Sequence, residues 1–206
     1  KVLFLASECV PFVKTGGLAD VIGALPKELK RQGVDVRVMI PLYSAIGPKY
    51  REQMTRICEF YVQLGWRSQY CGILTMEYQG VPVYFIDNEY YFGRGYIYGQ
   101  CNSDEGERFA FFSKAALEAM PRIGFYPDVL HAHDWQAAMS IALLRMQCGK
   151  SPDYRRIRTV YTIHNLKYQG VFNWPFMDEL LSIGPEHFTG ESLEYYGDIN
   201  FTKGAL

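Results

Sequence analysis

Three short runs in this chain carry residue types that could do chemistry. The first is Lys14-Thr15-Gly16-Gly17-Leu18-Ala19-Asp20-Val21. Adjacent glycines let a backbone come close to a ligand, and the free amides and dipole of a helix start favour a phosphate. Lys14 adds a full positive charge. A bare Gly16-Gly17 pair supports no more than a tight turn. The flanking Lys14 and Asp20, set between a strand and a helix, carry the phosphate reading. The glycine spacing matches neither the dinucleotide fingerprint nor a Walker A loop.

The second run is His131-Ala132-His133-Asp134-Trp135, and the third is Thr162-Ile163-His164-Asn165-Leu166 followed by Tyr168-Gln169-Gly170. His131 and His133 share one face of a strand, so a metal site is an alternative there. No further Asp or His follows at a spacing that completes a ligand set. Asp134 can serve simply as a helix N-cap, with Trp135 at the rim of a cleft. A lone His164 reads as a hydrogen-bonded structural histidine. Three polar clusters at the ends of successive strands change that balance, because the topology sets them along one cleft.

The elements that must position these runs alternate. Val2 to Ser7 is an unbroken apolar run, as expected of a central parallel strand covered on both faces. Leu18, Val21, Ile22, Leu25 and Leu29 recur at helical spacing up to Gly33, with Pro26 expected to kink the helix. Val34 to Ile40 reads as the next strand, closing a βαβ unit. From Arg56 to Asp87 three β-rich segments follow one another, with turn signals near Gly65 and at Gln79-Gly80. They predict a meander or hairpin inserted at the sheet edge. A helix from Asp104 to about Met120 buries Phe109, Phe112, Ala116 and Met120. Pro127-Asp128 launch a strand to His131, a helix from Trp135 to Cys148 is apolar nearly all round, and Arg158 to Ile163 is the next strand. The pattern predicts an α/β fold with a Rossmann-like, doubly wound, mostly parallel sheet whose ligand sits beyond the carboxyl ends of the strands. Asp198 to Leu206 starts a helical pattern with no cap and no stop signal, so the domain is expected to be incomplete at its C-terminal end.

Composition excludes several classes. The chain has 206 residues, 49% hydrophobic and 21% charged, enough for one substantial core. Its 21 basic and 22 acidic residues give a net charge of -1, which leaves no electrostatic footprint for nucleic acid. Cys9, Cys58, Cys71, Cys101 and Cys148 are scattered without a Cys-x-x-Cys pair, which suits reduced thiols. No apolar run approaches the ~20 residues a bilayer span needs, so a soluble intracellular protein is expected. With 16 Tyr and 13 Phe, several in Glu89 to Tyr98, a minority of rings are candidate sugar-stacking platforms.

The run Lys14 to Val21 with Gly23-Ala24-Leu25-Pro26, the segment His131 to Trp135 and the segment His164 to Gly170 together resemble the glycogen and starch synthases of bacteria and plants. The resemblance extends over essentially the whole chain. It implies that residues 1–206 form the N-terminal, acceptor-side Rossmann-like domain of a GT-B fold, and that the second catalytic domain, a C-terminal GT-B domain, is not in this sequence. It also implies glucose transfer from ADP-glucose to the non-reducing end of an α-1,4-glucan with retention, no metal or other cofactor, and a cytoplasmic or plastid-stroma setting. Residue by residue, the resemblance places the phosphate-binding lysine on Lys14 with Thr15, Gly16 and Gly17 around the donor phosphate. It places an Asp needed for activity on Asp20 and the active-site Asp on Asp134. The acceptor-stacking ring falls on Trp135 and the glucose-contacting histidine on His164. Asn165, Tyr168 and Gln169 would complete the sugar subsite, and Asp104 would lie toward the acceptor. Relatives often carry an aromatic residue where this chain has Asn102, so a stacking contact there is absent or supplied by Tyr96 or Tyr98. Another GT-B transferase lobe, or a module that only binds glucan, are the competing expectations, and the 206-residue chain alone is expected to be inactive.

Overall fold

The computed structural model describes residues 1–99 and 102–206; Cys101 lies outside the described residues. From strand β1 (Val2–Leu5) the chain loops into helix α1 (Gly17–Arg31), strand β2 (Val36–Pro41) and a single helical turn, α2 (Pro48–Arg51). Strands β3 (Thr55–Leu64), β4 (Arg67–Tyr78) and β5 (Val81–Asp87) then pair antiparallel in sequence. Gln79 and Gly80 turn β4 into β5 with φ of 51° and 81°. Two successive positive φ values give the turn whose twist matches a right-handed hairpin. Next come α3 (Glu89–Phe92), α4 (Ser103–Arg122), β6 (Val129–His133), α5 (Trp135–Leu143) and β7 (Arg158–Thr162). The chain closes with β8 (Val171–Asn173), α6 (Trp174–Leu181), β9 (Glu194–Tyr195), β10 (Asp198–Asn200) and α7 (Phe201–Ala205).

Seven strands form one sheet in the order β3-β4-β5-β2-β1-β6-β7, and β8, β10 and β9 form a small separate one. The strands β5, β2, β1, β6 and β7 run parallel, so the predicted doubly wound sheet is present with its antiparallel extension at one edge. The meander is more than an edge insertion, because its last strand β5 joins the parallel sheet beside β2. Leu3, Phe4 and Leu5 are fully buried, as an uninterrupted apolar strand in mid-sheet requires. The order reverses between β1 and β6: β1 to β2 steps one way, β6 to β7 the other. With right-handed crossovers on both sides, α1 and α5 must cover opposite faces and leave a crevice at the carboxyl ends of β1 and β6.

The helices show where periodicity reads correctly and where packing adjusts it. All nine residues of α5 are buried, as its all-round apolar pattern predicts, because α4 and α7 cover it as well as the sheet. In α4, Phe109, Phe112, Ala116 and Met120 are each fully buried. Burial of each Phe and Met side chain among them contributes about 1.5–3 kcal/mol. In α1 the buried stripe is Leu18, Ala19, Ile22, Gly23 and Pro26, while Leu25 is 37% exposed. Gly23 explains the rotation. A Cβ there would stand 2.1 Å from the Val10 side chain, so the helix turns its glycine toward the loop. The helix runs unbroken through Pro26.

The C-terminal segment corrects the sequence reading. Asp198–Asn200 is a strand, and the Asn200 side chain accepts the Lys203 amide at 3.0 Å, so the helix expected to lack a cap has one. Among the described residues, no helix is long and apolar enough to cross a membrane.

Candidate active site

A cavity of about 820 Å³ opens at the carboxyl ends of β1, β6 and β7, where the strand order reverses. Thr15, Gly16, Gly17, Asp134, Trp135, His164, Asn165 and Tyr168 all line it, so the topology brings the three sequence runs together. Lys14, Asp20, Asp104 and Gln169 do not line it.

The glycine loop is held by a residue that spacing did not single out. Glu8, 3% exposed just past β1, accepts the backbone amides of Thr15 and Gly16, the latter at 3.2 Å, and the Thr15 hydroxyl at 2.9 Å. The Tyr98 hydroxyl donates to the same carboxylate at 2.6 Å and meets Ser7 Oγ at 2.7 Å. The amides expected to cradle a phosphate at Thr15 and Gly16 are therefore occupied by a carboxylate. Among the described residues no side chain caps the start of α1, which leaves its first-turn amides open to an anion. No atom of the described residues lies within 4 Å of a Cβ placed at Gly16 or Gly17. These glycines leave room on the cavity side rather than serve packing within the chain. Lys14 donates to both carboxylate oxygens of Asp20 at 2.7 Å, a half-exposed pair beside the loop.

Asp134 follows β6 with φ of 57° and ψ of 175°. A non-glycine residue in that region costs on the order of 1–3 kcal/mol and persists only where its surroundings hold it. Its own amide donates to the Thr162 carbonyl at 3.0 Å. Its carboxylate accepts the His164 amide at 2.7 Å and the Asn165 amide at 3.4 Å. The carboxylate makes no capping bond to α5, so the N-cap reading of this side chain is replaced by a tie to the loop after β7. Burial raises the Asp134 carboxyl above the usual range, and the His164 amide partly opposes that.

His131 and His133 do share a face of β6, with ring centroids 4.0 Å apart. His131 Nε2 pairs with Thr162 Oγ1 at 2.7 Å, and His133 Nδ1 with His164 Nε2 at 3.0 Å. Burial pushes His131 down to about 4 and His133 down to about 2, so both rings are neutral at physiological pH. Among the described residues, no group of three His, Cys, Asp or Glu side chains is placed to hold a metal ion.

The remaining predicted residues have other placements. Trp135 is 4% exposed and packs against Phe109, Phe172 and Phe201, with Gly170 pressed to its ring. It forms part of the cavity wall instead of standing at its rim. Gln169 accepts from the Asn200 side chain at 2.7 Å, and its carbonyl accepts the Thr202 amide. It ties the loop to α7. Asp104 forms a two-pronged ion pair with Arg94, which also reaches the Tyr96 hydroxyl. Asn102 caps α4 by accepting the Glu105 amide at 3.2 Å, a task an aromatic residue could not perform. Besides Glu8, sequence reading missed Gln136 and Glu105, which also line the cavity. Their buried side chains lie on helices whose apolar pattern gave no sign of them.

A doubly wound lobe with a cavity at its topological switch point, walled by a glycine-rich helix start, a strained Asp and a histidine loop, defines the class of GT-B glycosyltransferase domains. The family model of the starch synthase catalytic domain matches residues 1–206, and the chain belongs to that family. A glycogen synthase of Bacillus cereus is 56% identical over 205 residues, covering 100% of this chain and 43% of the relative. One from Anoxybacillus flavithermus is 52% identical over 206 residues, covering 100% of the chain and 42% of the relative. The chain thus spans less than half the length of these relatives. The catalytic domain of Starch Synthase IV from Arabidopsis thaliana, solved bound to ADP and acarbose, superposes with a TM-score of 0.89 at 27% identity. That match covers 99% of this chain and 42% of the other.

Proposed function

We propose that this chain is the acceptor-side lobe of an enzyme that moves glucose from ADP-glucose to the non-reducing end of an α-1,4-glucan with retention, acting against a second, C-terminal GT-B domain. The observation that carries this reading is the convergence of the Thr15–Gly17 loop, Asp134 and His164 on one cavity. Family membership and a structural neighbour solved with ADP and acarbose support it.

Departure of ADP leaves positive charge on the sugar and negative charge on the pyrophosphate, so the site needs carboxylates and dipoles by the first and cations or amides by the second. The uncapped amides at the start of α1 and the Lys14 ammonium serve the pyrophosphate, so the reading invokes no metal. Asp20 holds Lys14, and Glu8 holds the loop that presents it. Asp134 supplies negative charge beside the sugar and fixes the His164 backbone. His164, Asn165 and Tyr168 form the sugar side of the wall. With no free nucleophile assigned to this lobe, attack by the acceptor on the same face as the leaving group fits retention. The net charge of -1 and the absence, among the described residues, of a membrane-crossing helix fit a protein working in the cytoplasm, or in the stroma if it is a plastid enzyme.

The test is incorporation of labelled glucose into glycogen by the full-length protein, with ADP-, UDP- and GDP-glucose compared. Preference for ADP-glucose, with turnover that falls sharply in Lys14→Ala and in His164→Ala, supports the assignment. Parental rates in both variants would overturn it. Glucan binding without turnover by the full-length protein would reduce this lobe to a binding module. The 206-residue chain alone should bind maltooligosaccharide weakly and turn over nothing.

A further inference from the structure

His133 is buried beneath the cavity and has no place in the chemistry just described. Its ring is 0% exposed, lies over Phe4 at 5.2 Å with an interplanar angle of 17°, and stands 4.0 Å from the His131 ring. Nδ1 is 3.0 Å from His164 Nε2, while Nε2 is buried with no hydrogen-bond partner among the described residues. His164 lines the cavity with Nε2 engaged and with no hydrogen bond to Nδ1 among the described residues.

Neutral imidazole carries one N–H and one lone pair, so the 3.0 Å contact allows two arrangements. If His164 donated from Nε2, His133 would accept at Nδ1 and carry its own proton on Nε2. That would leave an N–H donor buried without an acceptor. If His133 donates from Nδ1, its buried Nε2 keeps only a lone pair, and His164 carries its proton on Nδ1. Among buried backbone groups an orphaned N–H is rarer than an under-used carbonyl, and the same order of cost applied to the ring favours the second arrangement, which strands a lone pair and not an N–H. Protonating both nitrogens of His133 is opposed by burial and by the neighbouring histidines, so the ring stays neutral and the choice stays fixed.

We infer that His133 is a positioning residue that sets the tautomer of His164, holding it as the Nδ1–H form so that the cavity meets a hydrogen-bond donor. The group His164 serves is then an acceptor, a sugar hydroxyl oxygen or an oxygen gaining negative charge as the leaving group departs. This rests on the reading of the cavity as a sugar-transfer site only for its consequence, since the tautomer itself is a property of the protein without substrate.

Two measurements test it. In ¹⁵N-histidine-labelled protein above the ordinary histidine titration range, His164 should show a protonated-type Nδ1 and a lone-pair-type Nε2. The opposite pattern overturns the inference. In the full-length protein, His133→Phe fills the volume without a donor and should lower kcat about tenfold with a smaller change in KM, while His133→Asn, whose amide can sit where Nδ1 was, should restore most of it. Unchanged kcat in His133→Phe, or no recovery with His133→Asn, also overturns it. The spectrum needs no turnover, so its failure is separate from failure of the glucosyl-transfer assignment.

Discussion

The carboxylate of Asp134 accepts the backbone amide of His164 at 2.7 Å, so one residue at the end of β6 sets the path of the loop after β7. Asp134 does this from a backbone conformation that ordinary residues avoid, held there by its amide on Thr162 at the end of β7 and by its side chain on the loop that follows.

Replacing Asp134 by Asn should separate charge from geometry. Burial raises the folded carboxyl above its unfolded value, so its contribution favours folding below the unfolded carboxylate range and is lost as pH rises through the raised value. At neutral pH the ionised group therefore costs stability. Asp134→Asn keeps an oxygen for the His164 amide and should raise Tm at pH 7. That gain should disappear as pH is lowered through the carboxylate range, while glucosyl transfer by the full-length protein falls sharply. Thermal melts between pH 3 and 8 check the sign, and an unchanged or lower Tm at pH 7 would contradict it.

Glu8 offers a graded pair. Its oxygens accept two amides and two hydroxyls, so Glu8→Ala should cost about 2–4 kcal/mol of unfolding free energy, the range for losing charge-assisted bonds to buried donors. In Glu8→Gln the remaining oxygen can keep both amides. The new NH₂ can donate to the Thr15 and Tyr98 hydroxyls, which rotate to accept. The cost should then be under about 1 kcal/mol. Urea titrations of both variants decide this, and equal losses would mean that the charge itself holds the loop.

Gly170 should not tolerate a side chain. Its φ is 67°, and a Cβ would stand 2.6 Å from the Trp135 ring. Gly170→Ala should cost about 2–4 kcal/mol from backbone strain and overpacking together. Tryptophan fluorescence should report displacement of Trp135. A variant as stable as the parent would show that the loop can move away freely.

The Lys14–Asp20 pair should behave oppositely. Its side chains are 51% and 55% exposed, and such pairs contribute about 0–1 kcal/mol. Asp20→Asn should leave Tm within about 2 °C of the parent. It should nevertheless raise KM for the nucleotide sugar in the full-length protein, because Lys14 loses the partner that aims it. Unaltered donor kinetics would remove Asp20 from the donor site.

Most of the scaffold was legible because each element reports its own surroundings. The apolar run at Val2 to Ser7 and the all-round apolar pattern at Trp135 to Cys148 record burial on several sides; Leu3 to Ser7 and Trp135 to Leu144 are buried, whereas Arg145 to Cys148 emerges at the surface and is exposed or half-buried. The order of strands and helices then placed three polar runs at one edge of a parallel sheet. The small sheet of β8, β9 and β10 was not foreseen, since strands of two or three residues are too short to show a period.

What the chain determined by itself is thus the parallel α/β architecture, the position of the crevice, and the three runs that meet there, all properties of local pattern and strand order. Tertiary structure alone decided that Glu8 fills the amides of the glycine loop, that Tyr98, 90 residues away, shares that carboxylate, and that Asp134 reaches across to His164 instead of capping its own helix. Periodicity records how deeply a residue is buried. The partner of a buried polar group depends on which distant segment the packed fold brings within about 3 Å, and no local pattern carries that distance.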